Sequence, residues 1–306
     1  MDFKSVYSEN PGYALYKAFF LNPLLRSVSL KSSFSIFKNF FFYQFRSSFL
    51  PGRIPVSRVD HSLDEKIPFV TSWVAIYLDF IYFWLRMIAF FLRNYGRRAY
   101  KPIGEFIFSL GGLYAYAAKV YKQNLSTTKR PFYVSHPRFL LIHLLDPHLM
   151  CIPSLHVMVA VHAYTKFAHI ARQIGEEEKL KEQILEMKHG ALAICQAVLF
   201  VKQHSVNCIP ASLYAMTCFT PELFPVEEAQ AFTELLFSPA PSLEKAPKNC
   251  PVHPAYSPVT ELPQNVHKEI RDHIIKLYHK FLSEKEAAAS WDEPIVNFLK
   301  KLPRSV

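Results

Sequence analysis

The sequence predicts an all-α fold: a polytopic transmembrane helical bundle of about five to six spans with a cytoplasmic proline-rich and helical tail. Three observations carry that expectation. Half of the 306 residues are hydrophobic and 15% are aromatic, with 27 Phe, 16 Tyr and only 8 Gly, which is too apolar for a disordered chain and enough for a large core. Apolar runs recur between short polar connections. One connection, RNYGRRAYK from Arg93 to Lys101, is strongly basic, as a cytoplasmic loop is by the positive-inside bias.

Residues 1–62 form a basic and aromatic membrane-associated segment. It opens on polar residues with no cleavable signal peptide, then runs through SLKSSFSIFKNFFFYQFRSSFLPGR, where Lys31, Lys38, Arg46 and Arg53 stand among phenylalanines. That mixture suits either a first span or an interfacial helix with its cations among lipid headgroups. Residues 63–220 hold the main helical domain. Its run from Ile67 to Leu92 is long enough to cross a bilayer and is interrupted only by Asp79 and Arg86, expected to face protein or each other. Further candidates are Gly104 to Val120, Ile152 to Ala171, Gly190 to Val201 and Ile209 to Phe219. The lysine-bearing stretch Glu176 to Lys188 makes a second cytoplasmic loop, and alternation then gathers Arg130, His156 and His204 on the outer face of an inner-membrane protein. Residues 221–306 read as a proline-rich linker, Pro221 to Pro263, and an amphipathic tail with Val266, Ile270, Ile274, Leu277 and Phe281 at helical spacing.

The net charge of +10 suits nucleic acid and an anionic membrane equally. No nucleic-acid motif accompanies it, and the Phe-rich run reads as membrane contact, so membrane lipids are the expected partners and nucleic acid is not. Five cysteines, with no CxxC pair, indicate neither a disulfide framework nor a zinc ribbon.

The chemistry concentrates in MCIPSLHV, Met150 to Val157. Pro153 and Ser154 open a helix, whose first N–H groups lack carbonyl partners and can hold an anion. His156 in that first turn can hand the anion a proton; the plainer alternative is a capped helix with an incidental histidine. Upstream stands Arg130 in STTKRPFY, and downstream His204 in VKQHSVN, at the end of an apolar segment.

RP, then PSLHV, then KQH resembles the three-part signature of the type 2 phosphatidic acid phosphatase and haloperoxidase superfamily, in its membrane branch. The likeness covers roughly Leu63 to Phe219. It implies a helical bundle whose motifs meet at one phosphate site, a phosphohistidine intermediate, and no metal or other cofactor. Residue by residue it makes Arg130 the phosphate-binding fork, Ser154 and the backbone at Leu155 and His156 the anion-holding turn, His156 the acid and His204 the nucleophile. Lys129, and Lys122 one residue out of register, are phosphate neighbours. The third motif departs from the pattern at two positions. Val198 stands where an arginine is expected, and Cys208 where a carboxylate would orient the nucleophilic ring. Asp146, in the same loop, is a candidate replacement.

His136, His143 and His148 precede the PSLH helix at spacings of seven and five, which match no helical ligand pair, so they read as loop or surface histidines. His162 and His169 read as packing. The resulting expectation is a membrane phosphatase or phosphotransferase acting on a lipid phosphate or polyprenyl diphosphate. The competing one is a catalytically degraded relative that binds a phosphorylated lipid or serves as a membrane assembly component.

Overall fold

The computed structural model of the chain describes residues 3–49, 52–237 and 262–305. Among the described residues the architecture is helical, save one small parallel pair of strands, β1 (Val56–Arg58) and β2 (Leu125–Thr127), in register Val56 with Leu125.

At the centre is α9 (Leu155–Gln173), buried nearly all round its first four turns by Val157, Met158, Val159, Val161, Ala163 and Phe167. A helix apolar on every side needs neighbours on every side. They are α6 (Phe80–Tyr95), α7 (Arg97–Tyr121), α10 (Lys181–Phe200) and α11 (Cys208–Phe219). Gly96, at φ 52, makes the turn between the helices on either side of it; its N–H reaches the Leu92 carbonyl at 3.2 Å. Gly190 lets α10 approach closely, because a Cβ there would lie 2.5 Å from Phe83.

The amino-terminal arm consists of α1 (Pro11–Tyr16), α2 (Pro23–Ile36) and α3 (Phe42–Phe49), joined through wider π-helical turns at Lys17–Leu21 and Phe37–Phe41. Asn10 and Asn22 cap the first two, each followed by a proline whose missing N–H costs nothing there. The arm turns its small residues inward, with Ala14, Ala18, Ser29 and Ser32 buried. Ser32 donates to the Ile107 carbonyl and Ser35 to the Gly111 carbonyl at 2.9 Å, so α2 lies directly on α7.

Between arm and core come α4 (Ser62–Lys66) and α5 (Val74–Leu78); α8 (Pro137–Leu145) precedes α9. At the other end, α12 (Val226–Leu235), α13 (Gln264–Lys285) and α14 (Glu293–Lys301) pack back on the core. Tyr278 bonds Thr217 at 2.9 Å, Trp291 stacks on Tyr116 at 3.8 Å, and the chain end meets β1 through Arg58 N–H to the Pro303 carbonyl at 2.8 Å. Most of the proline-rich linker, 238–261, and with it Cys250, lies outside the described residues, while its first part folds into α12.

The expected bundle of five to six transmembrane spans is overturned. Among the described residues no single helix is long and apolar enough to cross a membrane. The reasons are local. The run from Ile67 to Leu92 breaks at Asp79 into a pair, Thr71–Leu78 and Phe80–Tyr95, bent by 41°, which alone passes by length and composition together. Asp79 and Arg86 do face each other, with bonds of 2.7 and 3.0 Å. The 25-residue α7 carries Arg97, Arg98, Lys101, Glu105 and Lys119. The 12-residue α11 spans about 18 Å at about 1.5 Å per residue, against a hydrocarbon core of about 30 Å. With the spans goes the alternation that assigned each loop a side.

Candidate active site

Ser154 is the N-cap of α9, and its N–H donates to Ser212 Oγ at 2.7 Å while its hydroxyl caps nothing. The hydroxyl instead lies 3.3 Å from His204 Nε2, on a residue fifty positions away. The first N–H groups of α9 therefore keep no side-chain partner. Leu155 is buried; His156, beside it, is held between Tyr77 and Phe80, each ring centroid 4.2 Å from its own. The imidazoles of His156 and His204 meet edge to face at 5.6 Å.

His204 stands on the turn after α10. Lys202 takes φ 55 there, and the N–H groups of Gln203 and His204 both reach the Val198 carbonyl at 3.1 Å. Val198 thus shapes the turn with its backbone while its side chain is buried where a cation was expected. Further on, Asp64 accepts from Val206 N–H at 2.8 Å, and Asn207 bridges the Val59 carbonyl at 3.0 Å and His273 at 2.9 Å. Cys208 is wholly buried at the start of α11, its N–H on the Ser205 carbonyl. No carboxylate meets the His204 ring, whose Nδ1 has no hydrogen-bond partner.

Arg130 reaches this group from β2's side. It donates to Gln203 Oε1 at 3.3 Å and to the Asp146 carbonyl at 2.9 Å, and lies 3.8 Å from the Asp146 carboxylate. Lys129 is exposed, its N–H held by Asp60 at 2.7 Å. Asp146 does not bond His204. It accepts from Gln44 of α3 at 2.6 Å and from the His148 N–H at 2.8 Å, and faces His148 Nδ1 at 3.6 Å.

His148 was missed as a member of this group. It is buried, at φ 60, with Nε2 3.6 Å from Cys151 Sγ. Its signal was the pair Asp146 and Cys151, two and three positions away around a proline turn. Gln203 stood inside KQH with no role assigned to it, and Tyr77 carried no sequence signal. Among the other histidines, His136 caps α8, and His162 bonds Ser109 at 2.8 Å in the core.

Burial depresses both central imidazoles: His156 to about 4, and His204 well below its ordinary value with the help of His156 and His148. Both are neutral near pH 7. Burial also opposes charge on His148, but Cys151 and the Asp146 carboxylate outweigh it and raise His148 to about 9. Asp146 is raised by burial and lowered more by His148 and Arg130, so it stays ionised. The site therefore pairs a neutral imidazole that can attack with a cationic rim of Arg130 and His148. Among the described residues no three His, Cys, Asp or Glu side chains come together to hold a metal. Comparison with protein-family models, curated proteins and solved structures finds no match for this chain.

Proposed function

We propose that this chain transfers a phosphoryl group from a lipid phosphate or polyprenyl diphosphate to His204 and then to water or another alcohol. One observation supports it above the others: motifs far apart in sequence meet, with His204 Nε2 3.3 Å from Ser154 Oγ and 5.6 Å, ring to ring, from His156, at the uncapped start of α9. A phosphate there is held by the free N–H groups of the helix end and by Arg130. Nε2 attacks phosphorus, the bond to the leaving oxygen breaks, and His156 gives that oxygen a proton. Water then attacks the phosphohistidine and His156 takes the proton back. Because His156 is neutral above about pH 4, its proton arrives with the substrate, whose negative charge also raises the basicity of the ring.

The test is phosphate release without added metal, over a panel of lipid phosphates and polyprenyl diphosphates, with mass spectrometry for phosphohistidine. His204→Ala abolishes turnover, and His156→Ala lowers it by about 100-fold or more, as for a lost general acid. Full activity in His204→Ala, or complete loss with a chelator, overturns the proposal.

A second reading, a relative that binds phosphorylated lipid without turnover, is favoured by the unpartnered Nδ1 of His204. Attack from Nε2 needs the proton on Nδ1, and no carboxylate is placed to hold it. Cys208→Asp separates the two readings. It speeds an enzyme weakened by the missing acid, only while His204 is present, and leaves a binding protein inert.

A further inference from the structure

A second cationic site lies outside the histidine cluster. A cavity of about 560 Å³ opens between the end of α3 and the small sheet, lined by Tyr43, Arg46, Ser48, Arg53, Lys122 and Leu149 among others. Among the described residues no Asp or Glu contributes to its wall. None of its three cations forms an ion pair among the described residues, and Lys122 reaches only the Asn39 side-chain oxygen at 3.3 Å. Three like charges around one cavity repel each other and attract an anion that can share them. Hydroxyls of Ser47, Ser48 and Tyr43 stand beside them, and Ile54, Val56 and Leu125 make the rest of the wall apolar.

What surrounds the cavity narrows the ligand. From Asn10 to Val59 the chain has no Asp or Glu and seven Lys or Arg. Along the same arm the large apolar residues point outward at intervals of three or four: Leu30, Phe34, Phe37, Phe41, Phe45 and Phe49, the last 80% exposed. An apolar ridge with cations and no anions complements an anionic bilayer, with apolar side chains entering the acyl boundary and basic ones staying at headgroup level. The cavity lies where that ridge ends.

We propose that this cavity binds the phosphate of a lipid headgroup presented by a bilayer, with the arm docked on the same membrane. Arg46, Arg53 and Lys122 hold the phosphate oxygens, and Phe45 and Phe49 enter the lipid. The site shares no side chain with the histidine cluster, yet Gln44, between Tyr43 and Phe45, bonds Asp146 at 2.6 Å, so docking sets the two sites side by side. The proposal rests on the lipid-phosphate reading only in making the docked membrane also the source of substrate.

The test is co-sedimentation of the full chain with phosphatidylcholine vesicles with and without phosphatidic acid, using glycerol 3-phosphate as soluble competitor. Wild type binds the phosphatidic acid vesicles and not phosphatidylcholine alone, and glycerol 3-phosphate does not displace it. The combined Arg46→Gln, Arg53→Gln, Lys122→Gln variant loses about 100-fold in affinity, from three cations near an anionic surface. Lys181→Gln, far along the chain on α10, loses nothing, and unchanged circular dichroism shows that each variant is folded. Equal binding by the triple variant overturns the proposal, as does equal binding to both vesicles, displacement by glycerol 3-phosphate, or burial of the ridge in a dimer that binds no vesicle. Vesicle binding needs no turnover: if His204→Ala binds like wild type while no substrate is ever hydrolysed, the catalytic proposal falls and this one stands.

Discussion

The arm and the histidine core are built by opposite rules. In α9 and α10 the large side chains, Phe167, Met187 and Phe200, are wholly or almost wholly buried, and the buried Glu186 of α10 accepts the Val6 N–H at 2.9 Å. In α2 and α3 the small residues face the protein, and Phe34, 68% exposed, and its neighbours face away. Burial of large apolar surface holds the core together, at roughly 25 cal/mol per Å² removed from water. The arm is held instead by close backbone approach and serine hydrogen bonds. Phenylalanine therefore packs inward at Phe167 and Phe200, and in the arm at Phe40 against Tyr114 at 5.8 Å, while Phe34, Phe37 and Phe49 face away from the protein.

The largest expected effect tests that contrast directly. Phe167→Ala removes a ring packed against Phe90 and Phe91 at 5.6 and 4.7 Å and costs about 3–5 kcal/mol of stability, whereas Phe34→Ala costs within about 0.5 kcal/mol. Denaturant unfolding measures both, and equal losses would erase the distinction. Next comes the seam between the regions. A Cβ at Gly111 would lie 2.9 Å from Ser32 Cα, so Gly111→Ala pushes α2 off α7 at about 1–3 kcal/mol, visible as faster amide exchange in the arm than in α9. Uniform exchange across both helices would show the seam to be unimportant.

The smallest effect is a pH dependence. His148, raised to about 9, has a folded value above its ordinary 6.5, so its contribution is fully present below about pH 6.5 and is lost as pH rises through about 9. The stability gap between wild type and His148→Gln should narrow over that window. A gap independent of pH would remove the charge from His148.

The apolar middles of the core helices were legible but their ends were not: Glu176 to Lys188, expected as a loop, holds the start of α10 at Lys181, and α7 begins at Arg97 rather than Gly104. The helix start at PSLH was legible because Pro153 and Ser154 announce it, whereas His204 was singled out only by the family resemblance. The membrane spans misled because hydropathy records how apolar a segment is and not what it faces. The buried faces of α9 and α10 and the outward ridge of α2 have similar composition and opposite surroundings. Gln203 and the tie between Gln44 and Asp146 were invisible, because they depend on how distant segments pack. Asp146 kept its carboxylate for His148 and Arg130 through a loop conformation, φ 60 at His148, that composition does not specify.

The bond between Asn207 and His273 also has a consequence in the order in which the chain is made. His204 leaves the ribosome 69 positions before His273, and at about 5–20 residues per second the nascent chain spends several seconds with its histidines made and their loop unlatched. In that interval Tyr214 and Thr217 also lack Trp291 and Tyr278, so the face of α11 that α13 covers stays open. Closure of that face of α11 is thus deferred until α13 and the segment around Trp291 have been made.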